Sequence, residues 1–283
     1  MSERGTIGVV VVTFDSAPVI AECLESVFAS KDADVAVVVV DNDSTDSTVQ
    51  VIEDWASGRV QLAAREDCPI QPLGPVAKPV HYIVSQAGEA PQEAPLVIVR
   101  SPVNRGFAGG VNQGLDVLAR RKDVNAFWVL NPDCVVPPDT AAGYLAAAAE
   151  GPFSLLSCRT IYYEEVDWAS RRGRLPLKLV DGAVVYHHGG TAIGSGTAAR
   201  RASPFANYFN YRNRRLFVRR HLSGRGPIVL VYALLKAAQL SLKGARDEAR
   251  AILAGAFLRP PPADVKAKVK EGEARRLAFG ERA

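Results

Sequence analysis

The chain has 283 residues, 48% of them apolar and 23% charged, with a net charge of +4. It is long enough to bury one large α/β core, alone or with an appendage, and its charge is too small to require nucleic acid as a partner. Four cysteines without a Cys-x-x-Cys pair suggest neither a zinc site nor a disulfide framework, and the late apolar run Pro227 to Leu235 is about half the length of a bilayer span.

At the N-terminus, MSERGTIGVVVVTF lacks a small-residue cleavage site, so a cytoplasmic protein with reduced thiols is expected. Residues 7–13 (IGVVVVT) and 35–40 (VAVVVV) are continuous β-branched runs, too short for buried helices. They read as strands buried on both faces of a mostly parallel sheet. Between them Ser16 and Pro18 suit a helix start, and Ile20, Leu24, Val27 and Phe28 recur at helical spacing, which completes a βαβ unit. The turn-forming DNDSTDST (41–48) is expected to cap a helix carrying Val49, Ile52 and Trp55.

The proline-rich stretch 66–95 reads as a long excursion with little structure. LVIV (96–99) resumes the sheet and AFWVL (126–130) supplies the next strand, with a helix between them that begins in NRGFAGGVNQGL (104–115). A helix follows Pro138 to about residue 149, AVVY (183–186) is a short strand, and Ser203-Pro204 opens a helical region reaching about residue 257. Within it, YRNRRLFVRRHLSGR (211–225) is basic and amphipathic, and could touch anionic lipid, bind phosphate or be a solvated face. The charged tail from 259 to 283 is expected to fray.

Ligands of open α/β sheets bind outside the carboxyl ends of the strands. Polar clusters fall at four of those ends here: Thr13 to Asp15, Asp41 to Asp46, Asn104 to Gly110, and Asn131-Pro132-Asp133. Each alone would suit a turn or cap; four on one rim imply one site. The glycines do not have the G-x-G-x-x-G spacing, which argues against nicotinamide binding. In YYEEVDWASR (162–171), a helix would put Glu164 and Asp167 on one face and pair Asp167 with Arg171, leaving Glu165 about 100° away. That pattern suits either an acid/base device or a surface acidic helix.

The succession VVVTFDS, VVVDNDSTD, NRGFAGGVNQGL, LNPD, YYEEVDWASR and YHHGG resembles family 2 of the inverting nucleotide-sugar glycosyltransferases, especially its rhamnosyltransferase-like branch, over roughly residues 6–220. The resemblance implies a GT-A fold, a Rossmann-like, mostly parallel sheet flanked by helices. The domain would span residues 1–200, followed by a basic helical extension at 201–258 and the tail. It implies a hexosyl transfer, with rhamnose suggested by the branch, from a UDP- or dTDP-sugar to a saccharide or lipid-linked acceptor in cell-surface polysaccharide or glycolipid synthesis. Thr13, Asp41, Asn104, Gly106, Asn112 and Asp133 would bind the nucleotide-sugar. Asp133 and His187 would hold Mg²⁺ or Mn²⁺. Glu165 would be the catalytic base, with Asp167 the second candidate, and Arg212 or Arg215 could reach a phosphate.

The protein would be cytoplasmic, with peripheral contact at the inner membrane face as an option. One departure stands out: the segment between Asp133 and Tyr162 is shorter than the family's, near 150–160, as if part of the sugar-binding wall and a sheet edge were absent. A nucleotide-sugar binder that has lost transfer activity is therefore the alternative.

Overall fold

The computed structural model of the protein describes residues 5–60, 62, 76–89, 93–152, 155–162, 177–187, 201–222 and 224–279. The chain forms two compact units, Met1–Gly189 and Gly190–Ala283.

The first unit runs β1 (Thr6–Thr13), α1 (Ile20–Phe28), β2 (Asp34–Asp41), α2 (Thr48–Ser57), β3 (Tyr82–Gln86), β4 (Leu96–Arg100), α3 (Gly106–Leu118) and β5 (Val124–Leu130). It continues through β6 (Cys134–Val135), α4 (Thr140–Ala149), β7 (Leu155–Tyr162) and β8 (Leu177–His187). Five strands form a parallel sheet in the order β3-β4-β2-β1-β5. The β-branched runs are central because both faces are covered. Ile7, Val9 and Val11 meet Ile20, Leu24, Ile52 and Trp55 on one side, while Val10 and Val12 pack with Leu118 on the other. Strand β5 lies at an edge, burying Trp128 and Leu130 and exposing Phe127 and Val129.

Registers align the strand ends that matter. Thr13 lies opposite Asp41, Asp41 opposite Arg100, and Leu130 opposite Val11. The turns after β1, β2, β4 and β5 therefore leave the same rim. Two glycines set how closely α3 lies on the sheet: a β-carbon on Gly110 would come within 2.6 Å of Val12 Cγ1, and one on Gly114 within 2.5 Å of Val10 Cγ1.

Two features differ from the sequence expectation. The excursion at 66–95 contains β3, a short strand held by its pairing with β4. The stretch 155–162 is a strand, β7, so its LLSCRTIY run supplies a sheet edge where the sequence reading had none. It pairs in parallel with β8, which is longer than the expected AVVY and also pairs antiparallel with β6. Buried Thr140 at the start of α4 donates its hydroxyl to Val184 O at 3.0 Å, tying that helix to β8.

The second unit is helical: α5 (Pro204–His221), α6 (Gly226–Leu242), α7 (Arg246–Ala256), α8 (Ala263–Ala267) and α9 (Glu273–Phe279). Ser203 caps α5, its Oγ accepting from Ala206 N–H at 3.2 Å, with Pro204 in the first turn. Helices α5 and α7 cross so closely that a β-carbon on Gly255 would lie 2.3 Å from Tyr208 O. The tail, expected to fray, instead folds back. Val265 is buried with Tyr208, and Phe279 stacks on Phe209 with ring centroids 5.7 Å apart.

Candidate functional site

The rim is organised by side chains that join loops distant in sequence. Thr13, fully buried at the end of β1, directs its hydroxyl to Val40 O and Asp41 Oδ1, each at 3.4 Å. Asp41 is itself buried, and burial pushes its carboxyl above the ordinary carboxylate range. Hydrogen bonds from the Ser44 hydroxyl and N–H and from the Thr13 hydroxyl, with the charge of Arg100, pull it only part of the way back.

Beside it Asn42 clips the second and third loops together. Its Nδ2 donates to Asn104 Oδ1 (3.0 Å) and Gly106 O (3.2 Å), and its Oδ1 accepts from Arg105 N–H at 2.9 Å. Asn104 Oδ1 also accepts from Gly106 N–H at 2.8 Å, and Gly106 holds a left-handed φ of 72° that favours glycine.

The other acidic residues of the cluster lace the first loop to the second. Asp15 Oδ1 accepts from Thr45 N–H (2.6 Å) and hydroxyl (3.1 Å) and from Asp46 N–H (3.3 Å), while Ser44 Oγ accepts from Asp15 N–H at 3.0 Å. Asp46 takes the Ala17 N–H at 3.1 Å, the Thr48 N–H at 2.9 Å and the Thr48 hydroxyl. Burial raises the Asp46 carboxyl, but these donors outweigh it and hold it below the ordinary value. Asp15 and Asp46 thus serve as braces, which leaves Asp41 as the acidic group of the rim that is buried.

At the end of β5, Asn131, Asp133 and Cys134 come up against His187 of β8. His187 Nε2 lies 3.0 Å from Asp133 Oδ1 and 3.0 Å from Asn131 Nδ2. The cause is β6: its antiparallel pairing puts Cys134 directly opposite His187. Donor atoms of Asp133, Cys134 and His187 all fall within 4.8 Å of one another.

Two ligands at right angles about an octahedral ion, each about 2.1 Å away, are separated by about 3.0 Å, so the spacing of Asp133 and His187 fits a small divalent cation. The carboxylate oxygen of Asp133 suits Mg²⁺ or Mn²⁺ and the imidazole nitrogen of His187 favours Mn²⁺ of the two, whereas the soft sulfur of buried Cys134 suits neither. Cys23, close by, donates its thiol to Asn131 O at 3.6 Å, and burial followed by the negative charge of Asp133 raises its pKa far above neutrality. It therefore stays a protonated core thiol.

Of the residues singled out from sequence, the structure gathers Thr13, Asp41, Asn104 and Gly106 on one rim and Asp133 and His187 beside one another. Asn112 is exposed on the second turn of α3. Arg215 packs its guanidinium where a Gly226 β-carbon would stand, and Arg212 lies 6.0 Å over the Phe209 ring. Glu165, Asp167 and Arg171 lie outside the described residues. The sequence places Asn42 and Asn131 within the rim clusters without singling out a role for either. The available signal was that each adjoins a residue already chosen or shares its turn.

A model described as glycosyl transferase family 2 matches residues 8–67 and 82–220. A comparison with curated proteins gives no match. Among solved structures, S. aureus TarS 1-349 in complex with UDP-GlcNAc is similar at 15% identity and a TM-score of 0.51, over 97% of this chain and 86% of that one. The same protein in complex with UDP aligns at 18% identity and a TM-score of 0.38, where this chain spans only 36% of its length and 56% of its own. The mannosyltransferase PcManGT from Pyrobaculum calidifontis, in complex with GDP-Man and Mn²⁺, aligns at 18% identity and a TM-score of 0.46, over 94% of this chain and 79% of that one. At these identities the likeness concerns the fold.

Proposed function

The chain belongs to glycosyl transferase family 2, and from that premise we propose that it moves a sugar, with inversion, from a nucleoside-diphosphate donor to a hydroxyl of a saccharide or lipid-linked acceptor. The observation that carries this reading is the pair Asp133 and His187, 3.0 Å apart at the end of β5, on the rim where Thr13, Asp41 and Asn104 also emerge.

Asp41 is positioned as an acceptor for donors of the nucleoside, since a buried carboxylate gains most from a partner that supplies hydrogen bonds. Asn42 fixes the third loop so that Asn104 and the backbone at Gly106 stay at a set height above the sheet. Asp133 and His187 would hold Mg²⁺ or Mn²⁺, which supplies neutralisation of the charge growing on the diphosphate as the sugar–phosphate bond breaks. Without the cation, Asn131 Nδ2 lies 3.0 Å from His187 Nε2, a contact that the ion would replace.

Inversion requires a carboxylate to take the proton of the acceptor hydroxyl as its oxygen attacks the anomeric carbon, a contribution of about 10²–10⁴-fold in rate. We assign that role to Glu165, with Asp167 as the second candidate. UDP- and dTDP-sugars are the donors we favour, and synthesis of a cell-surface polysaccharide or glycolipid is the setting. The complexes of TarS with UDP-GlcNAc and of PcManGT with GDP-Man make a nucleotide-sugar donor the natural class to test.

Calorimetry with UDP-, dTDP- and GDP-sugars, in Mg²⁺ and in Mn²⁺, tests the reading directly. Binding of one donor class is expected, dependent on the cation and weakened about tenfold or more by Asp133→Asn and by His187→Ala. Folded protein that binds none of the three classes would sink the proposal. Binding without donor hydrolysis or transfer, indifferent to Glu165→Gln, would favour a nucleotide-sugar binder instead.

A further inference from the structure

The second unit carries a face that neither the donor rim nor the family assignment uses. Along α6, Ile228, Val231, Tyr232, Leu235 and Leu242 share one side of the helix, spaced three, four and seven residues apart, and are 50–89% exposed. The buried residues of the same helix, Ala233, Ala237 and Leu240, turn the opposite way, into the packing with α5 and α7. A helix with one stripe in a core and a second apolar stripe in water has a surface fit for a further apolar phase.

The charge around this stripe identifies the phase. Residues 211–243 contain six arginines, two lysines and no aspartate or glutamate. Arg214, Arg219, Arg220, Arg225 and Lys243 are exposed. Two α5 arginines reach α6 itself: the guanidinium of Arg214 lies 5.5 Å over the Tyr232 ring, and that of Arg215 packs at Gly226. The first carboxylates, Asp247 and Glu248, appear only with α7.

Exposed aliphatic side chains and a tyrosine beside a single-sign cationic zone complement a surface that is apolar beneath and anionic on top. With 17 residues α6 is about 25 Å long, short of a roughly 30 Å hydrocarbon core. Among the described residues no helix is long and apolar enough to cross a membrane.

We propose that the second unit docks on an anionic lipid surface, with α6 lying in the plane of the interface, its exposed apolar stripe among the acyl chains and the arginines of α5 and the α5–α6 turn on the phosphates. The assignment stands on this unit alone and does not depend on the transferase reading. It names the surface at which a lipid-linked acceptor would be met.

The test is co-sedimentation of the full chain with vesicles of phosphatidylcholine and of phosphatidylcholine containing about 30% phosphatidylglycerol. Binding is expected to the anionic vesicles, weakening with added salt. Ile228→Glu with Leu235→Glu, at positions 66% and 67% exposed, should abolish it without altering the melting temperature. Arg219→Ala and Arg220→Ala should each weaken it about fivefold. Donor binding by calorimetry should be unchanged in all of these variants, which separates a failure here from a failure of the transferase reading. The proposal is overturned if the glutamate variant sediments like the wild type, or if the two vesicle types bind equally. It is equally overturned if the wild type ignores vesicles and forms a dimer that the glutamate variant disrupts, because the stripe is then covered by a second copy.

Discussion

The close approach of α3 to β1 is the fold feature on which the rim most depends, and Gly114→Ala probes it. The added β-carbon would stand 2.5 Å from Val10 Cγ1, 3.0 Å from Cγ2 and 3.3 Å from Cβ. Carbon atoms prefer about 3.5–4.0 Å, so the nearest contact is about 1 Å too short. Val10 is fully buried in the middle of β1 and cannot retreat, so α3 must lift. Such overpacking costs up to about 3 kcal/mol, against which alanine recovers about 1 kcal/mol of helix propensity.

The net loss of about 2 kcal/mol lowers the melting temperature by about 4–8 °C for a unit of this size. Gly110→Ala, 2.6 Å from Val12 Cγ1, should cost a similar amount and also weaken donor binding, because it lies one turn from Asn104 and Gly106. Gly143→Ala in α4 is the control: its β-carbon meets nothing within 4 Å, and it should raise the melting temperature by about 2–4 °C. Adding Val10→Ala to Gly114→Ala should destabilise by less than the sum of the two changes. Thermal melts in which Gly114→Ala is as stable as the wild type, or in which the pair is additive, would refute the steric account.

Three further outcomes are expected. Asp41→Asn should weaken donor binding about tenfold or more by calorimetry, while the free protein gains stability at neutral pH. Because burial raises the Asp41 carboxyl, its contribution is fully present below the unfolded carboxylate pKa and is lost as pH rises through the folded one. The variant's advantage in melting temperature should therefore grow as pH rises above the unfolded carboxylate value of about 4. Asn42→Ala removes three hydrogen bonds at a buried position and should cost about 2–3 kcal/mol in urea melts, with a parallel loss of donor affinity. Glu25→Ala leaves the Trp55 indole N–H, the Val76 N–H and the Lys78 ammonium (2.6, 3.1 and 3.3 Å) without their shared acceptor. It should cost about 3 kcal/mol with no change in donor affinity, and Glu25→Gln should cost less.

What could be read from the sequence follows from what each residue answers to. Strands β1, β2 and β4 announce themselves because both of their faces are buried, which admits only unbroken β-branched runs. Strand β3 does not, since YIVSQ at an edge buries only Ser85 and owes its form to pairing with β4. The polar rim was legible as a set because clusters after parallel strands must share one end of the sheet. The division of work inside it was not. Asp15 and Asp46 brace loops while Asp41 stays buried, and nothing in DNDSTDST separates them, because the distinction comes from contacts with residues some thirty positions away. The tail misled for a similar reason: its charges suggest solvent, but burial of Val265 and the stacking of Phe279 on Phe209 outweigh them.

The spacing of Asp133 and His187 is set by strand pairing. Asp133 and His187 are not brought together by the chain that joins them; they meet because β6 turns back against β8 in the pairs Cys134 with His187 and Val135 with Tyr186. Strand β8 is fixed in turn by β7 along its length and by the bond from Thr140 to Val184 O. The length of the passage between Asp133 and Tyr162 therefore does not set the spacing of Asp133 and His187 as long as β8 keeps its two neighbours. Substitutions that weaken the pairing of β6 with β8 should therefore lower donor affinity even where they leave Asp133 and His187 themselves unchanged.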